Sequence, residues 1–325
     1  MCPQAQLAGL HSRSEELIEL TRAYDRGQAE WSQVSNRLDQ ETQQIISLQE
    51  KLGFEYFSDG ALAWQDPLRP LTRTLDGVTY GTRYSRWFDT NTFYQKPVVT
   101  GKVSVKDSQL GDFVRADLLS TGRKWKVTLP GPYTFSELSE NRYYPDKIEL
   151  ILSIARAEHD LVTRLAKTKV ALVQLSEPCL VYRPYRDKQP SSLELETALH
   201  ALTLVSQASS TKVSIHTYFG DVSPVLANLL DLPVDAVGFD LYETDYSMLN
   251  IKTPKRIILG ISDSRESHVE DPKWIAETAG RVTKHVNGSD YVFSPNSDLK
   301  YLPRTVADAK TTSLANAARI FHEAN

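Results

Sequence analysis

Short apolar runs rich in β-branched residues alternate along this chain with longer segments of helical spacing. One such run ends at His216, and a helix-like segment begins at Pro224 after a Gly-Asp turn. Near-continuous apolar runs are typical of parallel strands that are buried on both faces. Strands are predicted over residues 54–58, 98–105, 124–129, 170–176, 212–218, 236–241, 256–262 and 291–294.

Helix-like stretches fill most of the gaps between these strands. They cover residues 107–120, 146–167, 193–209, 224–230, 272–286 and 306–323. Eight strands with intervening helices indicate an α/β fold of the (β/α)8 TIM-barrel type. A doubly wound open sheet is the alternative, but no Gly-x-Gly-x-x-Gly motif follows the first strand.

Two segments fall outside this repeat. Residues 1–52 form an N-terminal extension whose apolar spacing predicts a helical hairpin divided at Gly27. Residues 68–94 are an insertion after the first strand, in which residues 75–82 resemble a β-hairpin. Because no linker or change in composition divides the chain, one barrel domain is predicted over residues 1–325.

Composition narrows the class of protein. The net charge is -4, so no electrostatic feature predicts nucleic acid as a partner. No apolar run reaches the roughly 18 residues that span a membrane. The first residues lack the pattern of a signal peptide, and the two cysteines do not suggest a disulfide framework. A cytoplasmic protein with a small-molecule substrate is expected.

Polar side chains follow the carboxyl end of nearly every predicted strand, where TIM-barrel active sites lie. Each has a structural alternative: Glu177 could cap a turn, and an isolated histidine such as His216 is often part of the core. Their clustering at one end of the barrel favours a binding site. The candidate residues are Trp64, Asp66, Arg86, Asp89, Asn91, Glu177, His216, Glu243, Asp263 and Asn296.

Several of these residues lie in segments that resemble the cobalamin-independent methionine synthase family, whose barrels belong to the uroporphyrinogen-decarboxylase-like group. The segments similar to the N-terminal barrel of that family are DGALAWQD at 59–66, RWFDTN at 86–91, GPYTF at 131–135, VQLSEP at 173–178 and TYFGDVSP at 217–224. The segment LGISDSR at 259–265 instead resembles stand-alone, single-barrel members. The resemblance extends over nearly the whole chain.

The resemblance implies a zinc site, but two of its ligands differ here. Family catalytic barrels hold zinc with a His-x-Cys pair, a Glu and a second Cys. Here His216 is followed by Tyr218 at the first cysteine position, Ser297 stands at the second, and Glu243 matches the Glu. A phenol and a hydroxyl do not replace two thiolates as zinc ligands. Cys179, which lies just past the fourth barrel-type strand, does not match either position.

The resemblance also implies roles for the other candidates. Glu177 and Asp263 would bind an amine, Arg86 would bind a carboxylate, and His216 with Glu243 would hold a residual metal ion or water. Homocysteine binding is less well matched, because Ala61, Ala63 and Ser176 stand where the catalytic barrel has acidic residues. No catalytic residue is assigned.

Three functional hypotheses follow from the resemblance. The favoured one is a stand-alone N-terminal-type barrel in methionine biosynthesis, which acts with a separate zinc-bearing catalytic subunit. The second is a self-sufficient homocysteine methyltransferase with an altered metal site. In both, the methyl donor is methyl-folate or a methylcobamide. The third is another small-molecule reaction on the same barrel, such as decarboxylation of a polycarboxylate held by arginines.

Overall fold

The computed structural model of the chain describes residues 4–106, 113, 118, 122–182, 190–208 and 211–324. Its helices are α1 Glu15–Asp25, α2 Trp31–Leu52, α3 Arg69–Thr74, α4 Pro132–Leu138, α5 Lys147–Ala166, α6 Ser192–Ser206, α7 Leu226–Asp231, α8 Pro272–Val282 and α9 Arg304–Ala324. Its strands are β1 Tyr56–Phe57, β2 Leu75–Arg86, β3 Phe93–Val105, β4 Lys124–Pro130, β5 Glu140–Asn141, β6 Val170–Ser176, β7 Lys212–His216, β8 Ala236–Asp240, β9 Ile251–Lys252, β10 Arg256–Ser262, β11 Val286–Asn287 and β12 Asp290–Pro295.

A curved parallel sheet of seven strands forms the centre of the molecule, in the order β1-β4-β6-β7-β8-β10-β12. Every neighbouring pair in this sheet is parallel. Seven of the predicted strands lie in it, with bounds that differ by a few residues. The largest difference is at β1, where only Tyr56–Phe57 of the predicted residues 54–58 pair, and β7 ends at His216 rather than at residue 218. The predicted TIM-like α/β fold is confirmed.

The chain's N-terminal segment lies along the free edge of β12. The amide of Gln6 donates to the carbonyl of Phe293 at 2.9 Å, and the amide of Phe293 donates to the carbonyl of Gln4 at 2.7 Å. Farther along, the amide of His11 donates to the carbonyl of Gly60, just past β1, at 2.9 Å. The segment therefore joins the last strand of the sheet to the first.

The prediction of a barrel strand over residues 98–105 is wrong. These residues belong to β3, which pairs antiparallel with β2 outside the central sheet. The β-hairpin predicted within residues 75–82 is also wrong, since that whole segment lies in β2. Gly77 adopts a φ of +74° at an irregularity in the β2–β3 pairing, against the backbone of Lys102, so the chain does not turn back there.

The predicted helical hairpin at the N-terminus is confirmed by α1 and α2. The side chain of Ser14 accepts from the amide of Leu17 and caps α1, while Gly53 ends α2 with a φ of 75°. Most of the other predicted helices are present with shifted ends, and α4 was not predicted. The helix predicted over residues 107–120 falls almost entirely outside the described residues.

No helix in the described part of the chain is long and apolar enough to cross a membrane. Most apolar strand and helix side chains belong to one buried cluster between the sheet and the surrounding helices. The small residues of the sheet allow close packing inside it. A Cβ at Gly238 in β8 would lie 2.9 Å from the Cβ of Ile258 and 3.2 Å from the Cγ of His216.

Two glycine substitutions should therefore change stability in opposite directions. Gly238→Ala is expected to lower the free energy of unfolding by about 1–3 kcal/mol, because the new methyl group has no room. Gly280→Ala in α8 is expected to raise it by about 0.5–1 kcal/mol, because nothing lies within 4 Å of the new Cβ and alanine favours the helix. Urea unfolding of both variants measures this, and a neutral Gly238→Ala would contradict the packing described.

Candidate functional site

Glu177, directly after β6, is fully buried and holds the start of α4. Its two carboxylate oxygens accept the amides of Tyr133 at 2.9 Å and Thr134 at 2.8 Å. Gly131 makes this approach possible, since a Cβ there would lie 2.3 Å from Oε1 of Glu177. Burial raises the pKa of Glu177 to about 7, although the amide hydrogen bonds act in the opposite direction. The carboxylate is thus satisfied by the protein, and its predicted binding of an amine stays a prediction.

Asn296, after β12, links the ends of three neighbouring strands. Its side-chain amide donates to Asp240 and to Asp263, each at 3.2 Å. Its side-chain oxygen accepts the amide of Ser264 at 2.9 Å. Because the three strands are parallel and adjacent, one buried side chain can connect all of them. Two predicted site residues, Asp263 and Asn296, are therefore in direct contact.

Arg265 supplies positive charge to the carboxylates at the same edge of the sheet. It donates to Glu243 at 2.6 Å and to Asp263 at 3.2 Å, and its guanidinium lies 5.5 Å from the ring centre of Phe219. Asp240 is more deeply buried, and burial raises its pKa to about 6. Glu243, predicted to hold a metal ion or water, is thus engaged in an ion pair.

His216 lies at the end of β7 with no exposed surface. Neither ring nitrogen makes a hydrogen bond of normal geometry to a described residue. Its pKa is lowered to about 3, because burial disfavours the imidazolium ion and Lys126 repels it, while the backbone of Asn296 acts in the opposite direction. His216 is therefore a neutral imidazole at physiological pH.

The donor set at the expected metal position does not fit a zinc–thiolate site. Tyr218 is buried, with its ring centre 6.0 Å from that of His216, and the hydroxyl of Ser297 bonds that of Ser264. Within the described residues, no group of three or more His, Cys, Asp or Glu side chains could hold a metal ion. One imidazole and one paired carboxylate lack the sulfur donors that activate a thiol substrate.

The remaining predicted residues lie around the β2–β3 hairpin. Asp66 is buried, caps α3 through the amides of Leu68 and Arg69, and also accepts the side chain of Arg69. Trp64 packs edge-on against Phe113 with ring centres 6.0 Å apart. These contacts give both residues structural roles. No described contact shows either one binding a ligand.

At the hairpin turn, Arg86 donates to the carbonyl of Thr90 at 2.6 Å and to the side chain of Asn91 at 3.1 Å. Asp89 and Asn91 are exposed there. Arg86 also lines a cavity of about 600 Å³ between the hairpin and the loops after β4 and β6. The other lining residues are Phe88, Tyr133, Glu137, Leu138, Lys147, Cys179, Tyr182, Pro190 and Glu194.

Sequence reasoning missed several buried charges. Lys126 in β4 is buried and donates to the carbonyl of Leu7 at 2.5 Å, and burial lowers its pKa to about 7. Lys310 in α9 is buried and pairs with Glu270 at 2.8 Å. A lysine within an apolar strand, or on the apolar stripe of a helix, is the signal that could have identified Lys126 and Lys310.

The fold and the strand-end groups define a TIM-like α/β barrel with a polar cluster at the carboxyl edge of the sheet. The model of the cobalamin-independent synthase N-terminal domain matches residues 79–287. The chain therefore belongs to the cobalamin-independent methionine synthase family.

Individual relatives are distant but nearly full-length. A protein named methionine synthase from Sulfolobus acidocaldarius is 23% identical over 97% of this chain and 91% of its own length. One from Sulfurisphaera tokodaii is 24% identical over the same shares.

Among solved structures, a B12-independent methionine synthase from Shewanella sp. W3-18-1, in complex with selenomethionine, aligns with a TM-score of 0.81 at 16% identity. The alignment covers 100% of this chain and 98% of that one. A putative vitamin-B12 independent methionine synthase from Listeria monocytogenes aligns with a TM-score of 0.77 at 18% identity, over 98% of this chain and 97% of that one. These similarities confirm the fold.

The buried neutral His216 should make stability depend on pH. The unfolded chain binds a proton at this histidine below about pH 6.5, whereas the folded chain binds it only near pH 3, so stability is lost as pH falls between these values. His216→Leu should make the slope of the unfolding free energy shallower by up to about 1.4 kcal/mol per pH unit.

Urea unfolding at a series of pH values measures this slope. His11, whose pKa burial also lowers to about 3, is the same in both proteins and does not affect the comparison. His200→Gln changes an exposed histidine and is the matched control. An unchanged slope in His216→Leu would show that His216 is protonated in the folded protein.

The bridging role of Asn296 predicts a large stability effect. Asn296→Ala removes the donor shared by Asp240 and Asp263, leaving two buried carboxylates short of a hydrogen bond. We expect the free energy of unfolding to fall by about 2–4 kcal/mol. Asn250→Ala, at an exposed position, should change it by less than about 0.5 kcal/mol. If thermal or urea unfolding shows equally small losses of stability for Asn296→Ala and Asn250→Ala, Asn296 does not bridge the two carboxylates.

Proposed function

We propose that this chain functions in methionine biosynthesis as a barrel that acts with a separate, zinc-bearing catalytic subunit. The observation that carries the proposal is the donor set around His216. Tyr218 and Ser297 replace sulfur donors, and Glu243 is paired with Arg265 at 2.6 Å. The chain therefore lacks the groups that would generate a homocysteine thiolate by itself.

Zinc-dependent methyl transfer to a thiol requires a metal that lowers the thiol's pKa while keeping the sulfur nucleophilic. Soft thiolate ligands suit that task, whereas neutral phenol and hydroxyl groups bind zinc weakly. In addition, bringing Glu243 to a metal would break its ion pair and leave Arg265 with Asp263 alone. Both considerations argue against catalysis by this chain on its own.

The cavity beside the hairpin supports a role in holding the methyl donor. Arg86 is fixed by Thr90 and Asn91, so its guanidinium is held in place at the cavity wall. An oriented guanidinium is suited to bind a carboxylate. Aromatic side chains, among them Phe88, Tyr133 and Tyr182, offer faces for a planar ring system. A methyl-folate fits this combination better than a methylcobamide does.

One observation favours the alternative, a self-sufficient methyltransferase. The relatives named methionine synthase are nearly the same length as this chain, which covers 91% of each of the two described. A single barrel of this size therefore carries that name elsewhere. The zinc content and the activity of the purified chain decide between the two functions.

Zinc content and activity are the decisive measurements. We expect elemental analysis of the purified chain to find far less than one zinc per chain, with no change in His216→Ala. Methyl transfer from methyl-tetrahydrofolate to homocysteine should be absent with the chain alone. Adding a barrel from the same organism that has the complete zinc ligand set should give activity severalfold above that of the added barrel alone.

Arg86→Gln tests the donor cavity within the same assay. It should raise the KM for the folate in the combined reaction, whereas Arg83→Gln, an exposed arginine on the same strand that does not line the cavity, should leave it unchanged. One zinc per chain that is lost in His216→Ala, together with turnover by the chain alone, would overturn the partner proposal and establish the self-sufficient enzyme.

A further inference from the structure

A second cavity, of about 500 Å³, shares Asp263 with the strand-end network but has no role in the proposed function. It opens between the segment after β8, the segment after β10 and the start of α8. Its lining residues are Tyr242, Asp263, Glu266, His268, Glu270, Asp271 and Trp274. Four of these are carboxylates, and no lysine or arginine among the described residues lines the cavity.

Two of the four carboxylates are already neutralised. Glu270 is buried and accepts Lys310 at 2.8 Å, Ser262 at 2.9 Å and the amide of Asp263 at 2.7 Å. Asp263 pairs with Arg265 at 3.2 Å. These two residues form the inner wall of the cavity, and Lys310 and Arg265 neutralise their charge.

The other two carboxylates lie at the rim, and neither has a cationic partner in the part of the chain that the structure describes. Asp271 caps α8 through the amides of Lys273 and Trp274, so one of its oxygens balances the positive end of the helix. Glu266 is exposed and makes no hydrogen bond or ion pair to a described residue. The rim therefore carries negative charge that no lysine or arginine side chain of the described ranges neutralises.

Two aromatic side chains complete the cavity. Trp274 is 44% exposed and Tyr242 is 41% exposed, although large aromatic side chains are usually more deeply buried. The hydroxyl of Tyr242 donates to Glu270 at 3.1 Å, which fixes the position of its ring. Faces of Trp and Tyr attract cations, and the attraction is strongest for weakly hydrated alkylated ammonium ions.

We propose that this cavity binds a small organic cation of the alkylammonium class, between Trp274 and Tyr242 and beside Glu266. The aromatic faces would contact the alkyl groups, and the rim carboxylates would supply the counter-charge. An anion is disfavoured because every charged group on the lining is acidic. A neutral apolar ligand would leave the rim charge without a partner. The proposal depends neither on zinc nor on methyl transfer.

Choline is the probe, and its isostere in which a quaternary carbon replaces the nitrogen is the neutral comparison. Calorimetric titration should show choline binding at least about tenfold more tightly than the isostere, since the two differ only in charge. Glu266→Gln should weaken choline binding severalfold and leave binding of the isostere unchanged. Equal affinities for the two probes, or no binding of choline, would overturn the proposal.

Three further variants test whether the ligand binds in this cavity. Trp274→Ala should abolish detectable choline binding, whereas Trp274→Phe should retain part of it, and urea unfolding shows whether both are folded. Glu277→Gln removes an exposed carboxylate on the same helix that does not line the cavity, so it should not change the affinity. Choline binding that survives in Trp274→Ala would locate the ligand elsewhere and refute the site.

Discussion

The parallel register of the central sheet is the constraint on which the rest of the structure depends. Ser176 and His216, the last residues of β6 and β7, are register partners, and β8 ends at Asp240, just past Gly238, the partner of His216. Parallel strands bring all of their carboxyl ends to a single edge, and the loops that follow must share that edge. Residues far apart in sequence, such as Asp240 and Asn296, therefore come into contact.

The close packing of side chains at this edge determines which hydrogen-bond donors and counter-charges each acidic group has. A buried carboxylate is costly unless donors or a counter-charge accompany it. Glu177 is stabilised by the amides of α4, Asp263 by Arg265 and Asn296, and Glu270 by Lys310. The protein thus satisfies most of its strand-end carboxylates internally. A ligand at this edge would have to compete with those contacts.

Much of this organisation could be predicted from local sequence. The apolar runs of β4, β6, β7, β8, β10 and β12 identify strands without any knowledge of their partners, and the alternation with helices indicates a parallel barrel. Asp263 and Asn296, predicted after different strands, are in direct contact, whereas Arg86, Asp89 and Asn91 lie at the β2–β3 hairpin turn. Residues 98–105 were assigned to the wrong sheet, because a strand has the same local pattern whether its partner is parallel or antiparallel. The real closing segment, around Gln6, is too short and polar to show as a strand.

The sequence by itself determined which chemical groups the chain can offer. It has an imidazole at His216, but Tyr218 and Ser297 in place of the family's sulfur ligands, and no fold can turn a phenol or a hydroxyl into a thiolate. Only the tertiary structure decided which groups are already engaged and which remain available. Glu243 and Glu266 are both acidic residues after central strands, yet one is paired with Arg265 and the other faces an aromatic cavity. That difference arises from contacts between separate elements, which the packing of the barrel alone sets.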